Sequence, residues 1–388
     1  MQSDRPIYLD YHATTPVDPR VASVVMECML TEFGNASSID HIYGDKADHA
    51  VKQATKQVAD LVGAVPREVI FTSGATESIN LVLQGLPQKS PISHKLKIAV
   101  LPLEHKAVLD TCDALTKRGI AEIIFLIVDR QGKLDLEHLK TTCDQGIDLI
   151  CVMAANNEIG TIYPVPEIGA IAQKYNIPFL CDATQAVGKI PINFCDWGIT
   201  YLTLSGHKMY APKGIGALIL RKGYHLQPLI YGGGQQKGIR AGTLNVAGIV
   251  GLGEACRLRQ QEMSEDEKVI AAKRDRLQYL LLESIPELVI NGDRLNRLAG
   301  NLHISIPYIP NKAIIARIHD QLAIATGSAC ASGVEAASHV LQAINLPTNL
   351  IEGALRISIG KFTTDAEIDR AANILIAAVQ GTQQIILD

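Results

Sequence analysis

Two apolar runs that stop abruptly on polar residues constrain this chain more than anything else in its 388 residues. The stretch Tyr175-Asn176-Ile177-Pro178-Phe179-Leu180-Cys181 reads as a buried strand that ends on Asp182 and is followed by Ala183-Thr184-Gln185. A second run, Ile199 to Leu204, ends on Ser205 and leads through Gly206-His207 to Lys208. Near-continuous apolar runs are the mark of parallel strands buried on both faces. Open α/β sheets bind ligands beyond the carboxyl ends of such strands, so the pattern predicts Asp182 and Lys208 at one ligand-binding edge.

A lysine in a Ser/Gly turn is ordinarily a solvated surface cation, because unpaired ammonium groups are rarely buried. An acid at one strand end and a lysine at another is the pair that pyridoxal 5'-phosphate requires. The lysine forms the Schiff base and the acid holds the pyridinium nitrogen. Other segments add to that set. Val69-Ile70-Phe71-Thr72 reads as a strand, broken at Ser73-Gly74-Ala75-Thr76-Glu77-Ser78 before a helical Ile79 to Leu83. A strand, a glycine turn and a helix N-terminus present unpaired N–H groups and a positive dipole end, a cup for phosphate. An ordinary turn capped by Ser73 or Thr76 fits the same residues. Lys97 to Leu101 is a further strand, and His105 opens the helix after it. His105 reads either as a cap or as a ring stacked on a cofactor. Ile147 to Ala154 is a buried strand ending in Asn156-Asn157-Glu158-Ile159-Gly160, where the asparagines satisfy local backbone or hold a ring hydroxyl. Asn35, in the loop Phe33 to Ser38, reads equally as a turn former and as a substrate contact.

Composition bounds the alternatives. A 47% hydrophobic content over 388 residues can fill a large core and suggests two domains or three. A net charge of −4 gives no footprint for nucleic acid, which leaves a small polar substrate as the default. The first residues lack a basic region followed by an apolar stretch, and no apolar run approaches the ~18 residues of a membrane span. The eight cysteines include no CxxC pair, which argues against a zinc ribbon or a disulfide framework and favours a reducing cytoplasm. The glycine loop Tyr231 to Thr243 carries no GxGxxG, and Gly353 to Lys361 lacks Walker spacing, so nucleotide binding is unsupported.

Gly248 to Asp275 reads as one long helix, apolar at first and strongly charged from about Arg257; the domain boundary is placed at that shift. Beyond it, Ala323 to Gly333 sets Cys330 among small residues with little apolar bulk to bury it, as a nucleophilic thiol requires. Ala354-Leu355-Arg356-Ile357-Ser358 is a strand pattern holding a guanidinium that needs a partner: a substrate carboxylate, or an internal Asp or Glu.

The chain resembles group I cysteine desulfurases of the IscS/NifS kind, enzymes with the class V aminotransferase fold, over essentially its whole length. The resemblance is carried by Tyr8-Leu9-Asp10-Tyr11, Ala13-Thr14-Thr15-Pro16, Phe71 to Ser78, Glu104 to Val108, Asn156 to Gly160, Asp182 to Gln185, Ser205 to Lys208 and Gly327-Ser328-Ala329-Cys330. It implies an aspartate aminotransferase-like fold: a large domain over 16–260 with a mostly parallel seven-stranded sheet, and a smaller α+β domain from 1–15 and 261–388. It implies that Lys208 carries the cofactor and takes the substrate Cα proton, that Asp182 pairs its ring nitrogen, and that His105 stacks on the ring and carries a proton for the substrate thiol. Asn157 and Gln185 would contact ring substituents, with Asn157 also near the substrate. Ala75, Thr76, Ser205 and His207 would hold the phosphate, with Thr243 reaching it from the partner of a homodimer. Arg356, with Asn35, would grip the carboxylate of L-cysteine. Cys330 would accept the sulfur as a persulfide, leaving L-alanine, and pass it to an iron–sulfur scaffold protein or another acceptor. Transient iron–sulfur ligation by Cys330 is conceivable in this family, although one cysteine is no metal site by itself. The chain ends at Asp388, without the longer tail by which some relatives dock a scaffold. The rivals are a selenocysteine lyase or other C–S lyase that dispenses with Cys330 and, from a different class, a non-catalytic sulfur carrier that would survive loss of Lys208.

Overall fold

A computed structural model describes residues 5–86, 95–327 and 337–387. Seven strands form the main sheet, in the spatial order Val69–Thr72, Gly216–Leu220, Tyr201–Ser205, Phe179–Asp182, Leu149–Cys151, Leu96–Val100 and Ala121–Phe125. Neighbours run parallel except around Gly216–Leu220, which is antiparallel to both of its partners. This is the mostly parallel α/β sheet that the apolar runs predict. Because successive Cβ atoms point to opposite faces, each strand feeds two cores. Ile98, Val100, Leu149, Cys151, Leu180 and Tyr201 enter one, while Ala99, Ile150, Phe179, Cys181, Leu202 and Leu204 enter the other. Both faces are covered, which is why no polar alternation marks these strands.

The run expected to start at Tyr175 is shorter than its hydropathy suggests. Tyr175 closes the helix Val165–Tyr175, and Asn176 takes the left-handed cap at φ +53°, a conformation asparagine tolerates. The strand proper is Phe179–Asp182, and it still ends on the acid.

A second body of apolar side chains surrounds a three-stranded antiparallel sheet in the order Ala354–Ser358, Asn301–Ser305, Val289–Ile290. Helices Asn311–Ile318 and Asp365–Leu387 contribute to it. Strand Ile7–Tyr8 joins this body by pairing in parallel with Leu322–Ala323. The helix Val246–Ser284 serves both bodies. Ile249, Leu252 and Cys256 pack in the large core, whereas Ile270, Leu277 and Leu281 pack in the small one. The shift in composition near Arg257 therefore falls inside one unbroken helix.

Where that helix crosses Ile42–Val62, Gly253 permits the contact: a Cβ there would lie 2.6 Å from the Cα of Ala54. Alanine would gain about 1 kcal/mol of helix propensity. Overpacking against backbone costs about 1–3 kcal/mol, so Gly253→Ala should lower the urea midpoint at unchanged slope. A raised midpoint would mean that the two helices can separate without loss.

His303, on the central strand of the small sheet, is wholly buried and bonds Asn291 Nδ2 through Nδ1 at 3.0 Å. Burial, helped by the charge of Arg356, brings its pKa down to about 3. A histidine whose folded pKa lies below its unfolded value binds its proton more readily when unfolded. It therefore withdraws stability as pH falls from 6.5 towards 3, by about 1 kcal/mol per pH unit. His303→Gln should make the decline in unfolding free energy between pH 7 and 4 shallower; an unchanged slope would assign the decline to other groups.

Candidate active site

The carboxyl ends of the parallel strands assemble one cavity of about 380 Å³. Register explains how: Asp182 lies opposite Thr203, Ser205 opposite Gly216, and Thr72 opposite Gly216 from the other side. Three strand ends thus share an edge, and Lys208 follows Ser205 in the short 3₁₀ turn Gly206–Lys208.

Of the residues expected at the site, Ala75, Thr76, His105, Asn157, Asp182, Gln185, Ser205, His207, Lys208 and Arg356 all line this cavity. Lys208 Nζ donates to the carbonyls of His12 and Ala13, at 2.6 and 2.8 Å. The segment supplying them is clasped to the lysine turn. Thr15 N donates to His207 O at 2.8 Å, Tyr210 N donates to Thr15 Oγ1 at 2.8 Å, and His207 Nδ1 meets Thr14 Oγ1 at 3.2 Å.

Asp182 is nearly buried. Its Oδ1 accepts from Thr184 N at 3.0 Å, from Thr203 Oγ1 at 3.1 Å and from Thr184 Oγ1. All three donors converge on one oxygen, which leaves Oδ2 for a donor in the cavity. Behind it sits Glu104, fully buried and accepting from Met153 N. Burial first, and the nearby Asp182 carboxylate second, push Glu104 well above the usual carboxylate range.

At the other end of the cavity, strand Val69–Thr72 turns at Ser73-Gly74 into helix Ala75–Gly85, whose N-terminus carries no side-chain cap. Neither Ser73 nor Thr76 caps it. Its first N–H groups remain available, as an anion site requires. Gly216 makes room for this turn, since a Cβ there would stand 2.7 Å from Gly74 Cα. His207 is drawn down to about 4, by burial first and by Lys208 next, and His12 falls well below its usual value through burial and the charge of Lys189. Both rings are neutral at neutral pH.

His105 is a helix cap whose ring also lines the cavity. Its Nδ1 accepts from Ala107 N at 3.0 Å, at the start of helix Lys106–Lys117. Acceptance at Nδ1 puts the proton of the neutral ring on Nε2. Arg356 has the internal acidic partner that is one of its two readings, and it also lines the cavity. It is buried, its Nη2 donates to Asp10 Oδ1 at 2.8 Å and its Nη1 to Asn157 O at 3.3 Å, and its Nε has no partner among the described residues. The internal salt bridge and the cavity-lining position therefore coexist.

Three expected residues are not gathered here. Asn35 is exposed, and its Oδ1 accepts from Ser37 N at 3.0 Å, the turn-forming role. Thr243 is exposed and does not line the cavity of its own chain. Cys330 lies outside the described residues. The cavity-lining residues that sequence reasoning left without a role include His12, Ala13, Thr184 and Lys213. His12 and Ala13 act through backbone carbonyls, which any residue type supplies.

Comparison with known proteins agrees with this geometry. The aminotransferase class-V family model matches residues 7–371. The chain is 42% identical to cysteine desulfurase IscS of Rickettsia typhi over 98% of its own length and 92% of that protein's. It is 39% identical to the mitochondrial cysteine desulfurase of Arabidopsis thaliana, covering 99% and 84%. Among solved structures, a NifS-like protein superposes with a TM-score of 0.89 at 34% identity, covering 97% of this chain and 99% of that one. SspA in complex with cysteine gives 0.79 at 34%, covering 92% and 100%. With the lysine, the acid and the uncapped helix end gathered at one sheet edge, the chain belongs to the class-V aminotransferases and, within them, to the IscS/NifS cysteine desulfurases.

Proposed function

We propose that this chain removes sulfur from L-cysteine with pyridoxal 5'-phosphate, releasing L-alanine and leaving the sulfur as a persulfide on Cys330. The observation that carries the reading is the placement of Lys208 and Asp182 on one cavity with an uncapped helix N-terminus at its far end. That donor set fits the cofactor: an amine for its aldehyde, an anion for its ring nitrogen, and N–H groups for its phosphate. When bound, the cofactor supplies an electron sink for the pair released at the substrate Cα.

The residues of the chain do the rest. Ala75, Thr76, Ser205 and His207 hold the phosphate, and Thr243 reaches it from a second copy in a homodimer. Exposed apolar side chains at Met26, Met29, Leu30, Phe33, Ile39 and Ile42 support such an interface. Asp182 Oδ2 would hold the ring nitrogen in its protonated form, Gln185 and Asn157 would contact ring substituents, and His105 would stack on the ring. Arg356 grips the substrate carboxylate, with Asn35 assisting once the loop of residues 33–38 is in place. Lys208 takes the Cα proton, and His105 Nε2 exchanges the proton of the substrate thiol. The Cys330 thiolate attacks the substrate sulfur, so that an S–S bond forms as the C–S bond breaks.

The acceptor that collects the persulfide is an iron–sulfur scaffold protein or another thiolation partner. That the relative from Rickettsia typhi carries the IscS name supports the first. A reducing cytoplasm suits a persulfide. No helix among the described residues is long and apolar enough to cross a membrane, and the described cysteines are all free thiols. We place the division into domains near residue 260, with 16–260 holding the cofactor and 1–15 and 261–388 carrying Cys330.

Alanine formation from L-cysteine with excess thiol, by the intact protein and by Cys330→Ala, tests the proposal. Product from the intact protein alone is expected. Product from both would make this a lyase independent of Cys330, and product from neither would move the substrate elsewhere. Lys208→Ala should lose the visible absorbance of the cofactor-loaded protein; a band that persists would remove Lys208 from its role. Arg356→Ala should raise the KM for cysteine, with a loss of about 2–4 kcal/mol in transition-state binding. An unchanged KM would leave the arginine as the partner of Asp10 only.

A further inference from the structure

Lys189 has no part in the scheme above, yet it is wired to its centre. Its Nζ donates to Gln185 Oε1 at 2.7 Å, and Gln185 Nε2 donates to His12 O at 2.8 Å. The same carbonyl accepts from Lys208 Nζ at 2.6 Å. An ammonium only donates and a carbonyl only accepts, so the Gln185 amide is oriented from both ends. Two lysines are thereby joined through one buried amide and one shared carbonyl.

The surroundings of Lys189 leave its charge poorly compensated. From the helix Val246–Ser284 it faces Glu267 and Arg259, from the small sheet Arg356, and from the lysine turn Lys208. Arg259 is itself buried, with Nε donating to Gly188 O at 2.7 Å and Nη2 to Glu267 at 3.1 Å. Glu267 is thus shared between two cations. Burial, with the charge of Lys208 next, brings the Lys189 ammonium down to about 7, and burial lifts Glu267 to about 7. Around Lys208 itself, Asp182 supplies an anion, Lys213 a second cation, and His12 and His207 stay neutral.

We propose that Lys189 is a positioning residue: its charge, relayed through Gln185 and the His12 carbonyl, lowers the proton affinity of the Lys208 nitrogen and keeps that nitrogen available as a base. This rests on the reading of Lys208 as the cofactor-bearing amine. A residue that merely filled space or satisfied Gln185 would be replaceable by glutamine, which can still donate to Oε1 but carries no charge.

The test is a pH titration of the visible absorbance of the cofactor-loaded full chain, in wild type, Lys189→Gln, Lys189→Met and Lys189→Arg. Two interacting cations titrate in overlapping steps, so the wild-type curve should be broader than a one-proton transition. Lys189→Gln and Lys189→Met should give a single step with its midpoint higher by about one pH unit. Lys189→Arg should stay near the wild-type midpoint. A one-proton wild-type curve whose midpoint is unmoved in both uncharged variants overturns the role of Lys189 and leaves Lys208 untouched. An Arg variant displaced as far as Gln overturns it also. Wild-type protein without the band, or a band surviving in Lys208→Ala, overturns the reading of Lys208 and this inference together. If Lys189→Gln fails to fold, the methionine variant carries the comparison.

Discussion

The contact on which this architecture depends joins the segment Asp10–Thr15 to the turn that follows the strand Tyr201–Ser205. Thr15 and Tyr210 bind each other through a backbone N–H and a hydroxyl, and the carbonyls of His12 and Ala13 hold the Lys208 amine. Two residues earlier, Asp10 meets Arg356 on the small sheet, and Ser358 N donates to Leu9 O. One strap of chain therefore touches Lys208 of the large body and Arg356 of the small one. The positions of those two side chains relative to each other are set by a few consecutive residues, not by the long path between them.

The electrostatics of the cavity follow from what is kept neutral. Lys208, Lys213 and Arg356 line it, and so do the carboxyl groups of Asp182 and Glu77, the latter paired with Arg240. A second carboxylate lies beside Asp182, and burial raises the Glu104 carboxyl well above its usual range, which weakens it as a competing anion. Burial likewise discharges His12 and His207, so neither adds a positive charge next to the lysine. Desolvation, more than any specific pairing, decides which groups carry charge here.

Much of this was readable from residue order alone. Strand ends are legible because a buried strand must stop being apolar where it leaves the core, and Asp182 and Ser205 mark those points. The anion cup was legible from a strand, a glycine and a helix in succession, although only the geometry shows that Ser73 and Thr76 leave the helix end uncapped. Arg356 posed an either/or question, and packing shows the internal partner, Asp10, on a residue that also lines the cavity. What could not be read were contacts made by backbone atoms, as at His12 and Ala13, and the direction of a side chain such as Lys189, which periodicity does not encode. Asn35 and Thr243 are exposed on the single chain, so nothing in its packing brings them to the cavity. The onset of charge near Arg257 falls where the helix Val246–Ser284 is still held to the large body, since Arg259 Nε donates to Gly188 O, and not where a structural element ends.

That helix has a further consequence for modularity. At 39 residues it spans about 60 Å, and each half forms a wall of a different core. Cutting the chain at the compositional shift would strip a wall from both bodies at once. The two bodies are consequently not cassettes that can be exchanged between relatives at that point, and any graft that preserves both cores must carry the helix whole.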